Sequence, residues 1–139
     1  LHLSIRRQRQ MCIRDSFDKA RWGLTTLYTV AGFGHFVTPK PFEEIVPTYA
    51  PGTARFWNYL SGAGELGTAA LLAAPNNKAN KYGGLISAAL LLAVWPGNFE
   101  SVRQRLDRPW TEQIGWIARL PLQLPMIHAS WKIWKETTD

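Results

Sequence analysis

The chain has 139 residues, enough for one domain, and carries 16 Lys and Arg against 10 Asp and Glu, a net charge of +6. Cys12 is its only cysteine, which excludes an internal disulfide, a Cys-x-x-Cys redox pair and a thiolate metal cluster. Arg6, Arg7, Arg9 and Arg14 against Asp15 supply three of the six surplus charges, so the rest carries +3 and no basic footprint for a nucleic acid.

Those cations belong to residues 1–16, LHLSIRRQRQMCIRDS, which lack the apolar core of a signal peptide and look like translated sequencing adapter. They read as a non-native segment, leaving 17–139 as a single membrane domain. A mean hydropathy of −0.16 suits a soluble protein, but it averages over charge clusters separated by long uncharged stretches. Trp22, Trp57, Trp95, Trp116, Trp131 and Trp134 lie near the ends of those stretches, where tryptophan collects at a membrane–water boundary. A soluble helical bundle with core aromatics is the competing reading.

The first span is expected over 21–37. Thr25, Tyr28, Gly32 and His35 recur at steps of three and four, a stripe of the small and polar residues that membrane helices present to one another. His35 ends that stripe as a structural hydrogen-bonding residue or as a ligand or proton carrier. Residues 38–55 hold Pro39, Pro41, Pro47, Pro51 and Gly52, which forbid a continuous helix and leave one short turn around 42–46. At eighteen residues this connection is either a lid or a plain surface loop.

The second span, 56–74, is the stretch around which the chain is organised. Its one charge, Glu65, sits at the midpoint, where a carboxylate costs a few kcal/mol (~3) unless it faces protein, water or a partner. Ser61, Gly64, Glu65 and Thr68 share a face, and Gly64 with Thr68 lets a neighbouring backbone approach. After the polar turn 75–81, a third span is expected over 82–97, broken by Trp95-Pro96-Gly97-Asn98. Asn98 there either caps freed carbonyls or binds a ligand. A charged segment follows, and the fourth span, 114–134, contains Arg119, Pro121, Gln123, Pro125 and His128, with a kink expected at the prolines.

The fold expected is therefore all-α, a four-transmembrane-helix bundle with two longer loops on one side. Glu65 and Gln123 each lie nine residues into their spans, so they are expected level, about 13 Å deep. Arg119, one turn above Gln123, is expected to pair with Glu65, because two unpaired charges at that depth would each cost ~3 kcal/mol. Glu65, Arg119, Gln123, His35 and Asn98 together make the candidate buried polar centre, either a ligand site or a lock on the bundle. Six cations on one side against five on the other place both termini, narrowly, in the cytoplasm.

Gly32-x-x-His35-Phe36 with Pro39, Ser61-Gly62-x-x-Glu65-Leu66, Pro96-Gly97-Asn98 and Arg119-Leu120-Pro121-Leu122-Gln123 resemble motifs of the DoxX-like family of small bacterial membrane proteins. The resemblance implies a four-helix bundle in the bacterial cytoplasmic membrane, linked to thiosulfate:quinone oxidoreduction and to complexes that handle oxidative and thiol stress. It implies a membrane subunit or anchor of a redox-related complex, with a redox partner protein and no autonomous enzymatic activity. With no cysteine outside 1–16, direct thiol chemistry does not follow. Two further expectations stand beside it: a binding protein or carrier for a small lipophilic molecule or quinone, with Glu65 accepting a proton, and a structural bundle without a ligand. No metal site and no bound cofactor beyond a quinone are expected.

Overall fold

The structure, a computed structural model, describes residues 2–137, and the side chains of all of these except 13 and 14. It is all-helical among the described residues: α1 (His2–Val37), α2 (Pro39–Glu44), α3 (Ala54–Ala73), α4 (Asn77–Arg103) and α5 (Trp110–Glu136). The long helices α1, α3, α4 and α5 pack antiparallel in chain order, and α1 meets α5 along a looser seam. Short α2 lies across one end.

Local chemistry sets most boundaries. Pro39 and Pro41 fit the first turn of α2, where a missing N–H costs no helical bond. Gly52, at φ 83°, turns the chain into α3, and the Thr53 hydroxyl accepts from Phe56 N at 3.2 Å as its cap. The Asn76 side chain caps α4 by accepting from Lys78 N and Ala79 N. The freed carbonyls at the end of α3 take bonds from Asn80 Nδ2, to Leu71, Leu72 and Ala74, and from Arg21 Nη1, to Leu72 at 2.5 Å.

Several boundaries differ from expectation; α4, for one, starts at Asn77 rather than 82, because Asn76 caps it there. Helix α1 begins at His2 rather than near 21, because no proline or glycine interrupts residues 2–22; residues 2–12 are exposed and gain little from packing. Helix α4 runs through Pro96 to Arg103 instead of breaking at 95–98, and α5 starts at Trp110 rather than 114. One proline removes a single backbone bond, and the turns on either side hold the helix together.

Glycines set the closest approaches. A Cβ on Gly84 would lie 2.8 Å from both Ser130 O and Trp134 N, and one on Gly62 2.7 Å from His35 Cβ. Both pairs of helices are therefore nearly in backbone contact. With Gly32 beside Leu66, Gly83 beside Leu72 and Gly64 beside Leu90, these contacts fix the register used below.

Buried polar side chains outnumber buried apolar ones, around an apolar cluster of Leu24, Tyr28, Ala69, Leu72, Leu91 and Ile133. Ten polar or charged residues among those described are buried, including His35, Asn58, Glu65, Thr68, Ser87, Gln123 and Ser130, against seven apolar ones. Val30, Phe33, Val37, Leu60, Ile86, Leu92, Ile114, Leu122 and Leu124 face outward instead. By length and composition alone, however, one described helix, α4, is apolar enough to cross a membrane, not four. Glu65, Asn58 and the small residues lower the apolarity of α3, and Arg119, Gln123 and Lys132 that of α5.

Candidate functional site

Helices α1 and α3 bring His35, Asn58 and Glu65 together at the end of the bundle covered by α2. His35 and Gly62 are in contact, so the glycine admits the imidazole between the two helices. Asn58 grips His35 twice: its Nδ2 donates to His35 O at 3.0 Å, and its Oδ1 lies 2.5 Å from His35 Nδ1. The first bond orients the amide, so Oδ1 is an acceptor and Nδ1 must carry the proton. On the other ring nitrogen, Nε2 lies 3.4 Å from Glu65 Oε2.

That geometry sets a ring nitrogen against a carboxylate oxygen in the interior, where a proton shared between them would keep net charge out of it. Beyond that contact, Glu65 Oε2 has no hydrogen-bond partner.

Helix α2 closes the end above this pair. The Phe42 ring packs on the His35 ring with centroids 4.0 Å apart, and Arg55 Nε reaches Glu43 Oε1 at 3.3 Å. Gln104 Nε2 donates to Glu44 O at 2.7 Å, so the short connection 104–109 meets α2 over the same end; it replaces the second longer loop expected there, because α4 extends to Arg103.

Beneath the pair runs a chain of hydroxyls: Tyr28 Oη to Ser87 Oγ at 2.6 Å, Ser87 Oγ to Ser130 Oγ at 2.7 Å, and Ser130 Oγ to Met126 O at 2.8 Å. The last acceptor is a carbonyl, so each hydroxyl donates towards it, starting from Tyr28. A chain ending on a carbonyl has no proton acceptor beyond it, and it serves as a bolt joining α1, α4 and α5.

The five expected residues do not converge as one centre. Glu65 pairs with His35, not Arg119. Arg119 is exposed, its guanidinium 4.4 Å from the Trp116 ring centroid, with Arg105 also over that ring. The indole faces offer those cations a partner at the surface, and His35 reaches Glu65 from a closer helix. Gln123 is buried, with Oε1 unpartnered. It is not level with Glu65: antiparallel register places it about 7 Å nearer the α2 end, because the extension of α4 shifts the start of α5. Asn98 is half-buried inside α4, since that helix does not break there.

Asn58 was missed. The signal was available: it lies seven residues before Glu65, hence on the same face of α3. The Ser87–Ser130 pair was missed as well, because no local pattern joins residues 43 apart.

Residues 24–134 match the family described as "Domain of unknown function (DUF8561)". No curated protein and no solved structure matches the chain. The match overturns the resemblance to the DoxX-like family, and with it the implied tie to thiosulfate:quinone and thiol-stress chemistry. Its four motifs are short, and glycines at helix crossings and prolines near helix ends recur wherever helices pack closely.

Proposed function

Since this chain belongs to the DUF8561 family, whose description carries no activity, we propose from its geometry that it is a multi-pass membrane bundle that binds a small lipophilic molecule and shares a proton with it through His35 and Glu65. The packing supports the membrane part: an apolar exterior is at home in lipid, and a hydrogen-bonded polar interior satisfies itself away from water. Cations over indoles at both ends support it further. Arg21 lies over Trp22, Lys81 over Trp134 and Lys135 over Trp131 at one end, and Arg105 and Arg119 over Trp116 at the other.

The observation that carries the binding reading is the buried contact of His35 Nε2 with Glu65 Oε2, an oxygen with no other partner, beside a ring whose tautomer Asn58 holds. An interior ionisable pair in a membrane bundle is a functional site by default. Two tests apply. The chain should stay with membranes through an alkaline wash. In detergent, a short-chain quinone or its reduced form should raise the thermal midpoint of the purified protein, and Glu65→Gln should abolish the rise. Release by the wash sinks the membrane reading, and a rise unchanged by Glu65→Gln sinks the site.

A second reading, a membrane subunit of a larger complex, rests on the seam between α1 and α5. A cavity of about 270 Å³ there is lined by Ala20, Gly23, Leu24, Leu27, Pro125, Met126 and Ala129, small enough at Gly23 and the alanines to admit a partner helix. The redox character of that partner came from the overturned resemblance and is not retained. Gly23→Leu, which fills the seam, should release a crosslinkable partner without changing the thermal midpoint; retention of the partner argues against this reading.

A further inference from the structure

Building on the binding reading above, we propose that Trp95 and Gln123 form a second pole of the interior site, and that the guest spanning the two poles is an aromatic ring bearing phenolic hydroxyl groups. Buried side-chain polar atoms without a hydrogen-bond partner, among the described residues, are Glu65 Oε2, Trp95 Nε1, Gln123 Oε1 and, at the far end of the chain, Thr137 Oγ1. Gln123 is 5% exposed and Glu65 8%. A buried donor or acceptor left unpaired loses its hydration with nothing in return, and folded proteins nearly always give such atoms a partner, water or ligand included.

Trp95 and Gln123 lie nearly level along the bundle axis, with Glu65 deeper. Counting from the Ser87–Ser130 contact, Trp95 is eight residues on along α4, about 12 Å, and Gln123 is seven residues back along antiparallel α5, about 10.5 Å. Gly64 packs beside Leu90, three residues past Ser87, so Gly62 and its neighbour His35 fall near 7.5 Å and Glu65 near 3 Å on the same scale. From Glu65 through His35 to the indole and amide, the polar groups thus step towards the α2 end, with the last two within about one helical turn of His35.

Their chemistry is complementary to a hydroxylated ring. Indole N–H only donates, so the guest must bring an oxygen to accept from it. The Gln123 amide oxygen calls for an O–H donor, and Glu65 Oε2, already facing His35 Nε2 at 3.4 Å, keeps a lone pair for a second one. One ring with hydroxyls on opposite sides answers both poles, which a single water cannot do. Among the aromatic side chains at this end, Phe42 lies over His35, while Phe36, stacked on Tyr59 at 5.3 Å, and Phe99, 5.7 Å from Trp95, are exposed on the outside.

The test uses the full chain in detergent with two probes, a short-chain alkyl hydroquinone and an alkylbenzene of the same size without hydroxyls. Thermal midpoint and tryptophan fluorescence are read for the wild type, Trp95→Phe, Gln123→Leu and Glu65→Gln. The hydroquinone should stabilise the wild type and the alkylbenzene should not. Trp95→Phe and Gln123→Leu should each weaken the hydroquinone at least about tenfold, the effect of one lost hydrogen bond to a buried partner.

Equal stabilisation by the two probes overturns the phenolic assignment. Unchanged hydroquinone affinity in both Trp95→Phe and Gln123→Leu, with loss in Glu65→Gln, removes the second pole and leaves the binding reading standing. If the hydroquinone leaves the wild type unmoved, both fall; raised midpoints in the two unliganded variants would then mark the pole as a water site.

Discussion

His35 Nε2 faces Glu65 Oε2 at 3.4 Å while its Nδ1 is held 2.5 Å from Asn58 Oδ1, so an amide on one side of the ring decides what the carboxylate on the other side meets. Asn58 is 1% exposed and serves only the histidine, through the ring and through its backbone carbonyl. Asn58→Leu should keep the volume and leave Nδ1 and the carbonyl unpaired. The expected loss is about 1–3 kcal/mol, read as a lower thermal midpoint in detergent. Asn58→Asp should recover only part of it, because a carboxylate still accepts from Nδ1 but cannot donate to His35 O. A leucine variant as stable as the wild type would show that the tautomer is not held there.

The hydroxyl bolt makes an ordered prediction. Ser87→Ala breaks the chain in the middle and leaves the Tyr28 hydroxyl only its longer bond to Ser87 O at 3.4 Å, at an expected cost of about 1–2 kcal/mol. Tyr28→Phe removes the first donor and leaves behind only an unfilled hydroxyl lone pair, so about 0.5–1 kcal/mol is expected. Denaturation midpoints in that order support the donor direction derived from Met126 O; the reverse order contradicts it.

Glycine substitutions separate close packing from helix propensity. Gly84→Ala drives a methyl into backbone atoms of Ser130 and Trp134 and should cost about 1–3 kcal/mol. Gly67, where a Cβ meets nothing within 4 Å, should accept alanine with a gain of up to about 1 kcal/mol. Comparing the two thermal midpoints checks both, and a harmless Gly84→Ala would mean the α4–α5 contact is looser than described.

Arg119 gives the opposite outcome to the one its position in the chain suggests. Exposed and stacked on Trp116, it should lose less than about 1 kcal/mol as Arg119→Gln, with no change in the ligand response of the His35–Glu65 pair. A collapse of stability comparable to that of Asn58→Leu would restore the expected pairing with Glu65.

Much of the architecture follows from local rules that act on neighbouring residues. The helix stretches, the interruption of the helices by four prolines in the 38–53 connection, the caps at Thr53 and Asn76 and the polar stripe ending at His35 are all set by steric and hydrogen-bonding preferences within a few residues. Those rules misjudged α4 at Pro96, where packing on both sides outweighs one missing bond, and so they also misjudged the level of Gln123.

Sequence by itself determined that a carboxylate would be enclosed midway along α3, because an apolar helix leaves Glu65 no other stable place. Only the tertiary structure decided its partner. Arg119 had the charge and the depth, but charge complementarity along a chain does not say which helices meet. Close approach at Gly62 put the His35 ring, not the guanidinium, beside the acid. Helix register is a property of whole interfaces, and it settles contacts between residues that lie thirty positions apart in the chain.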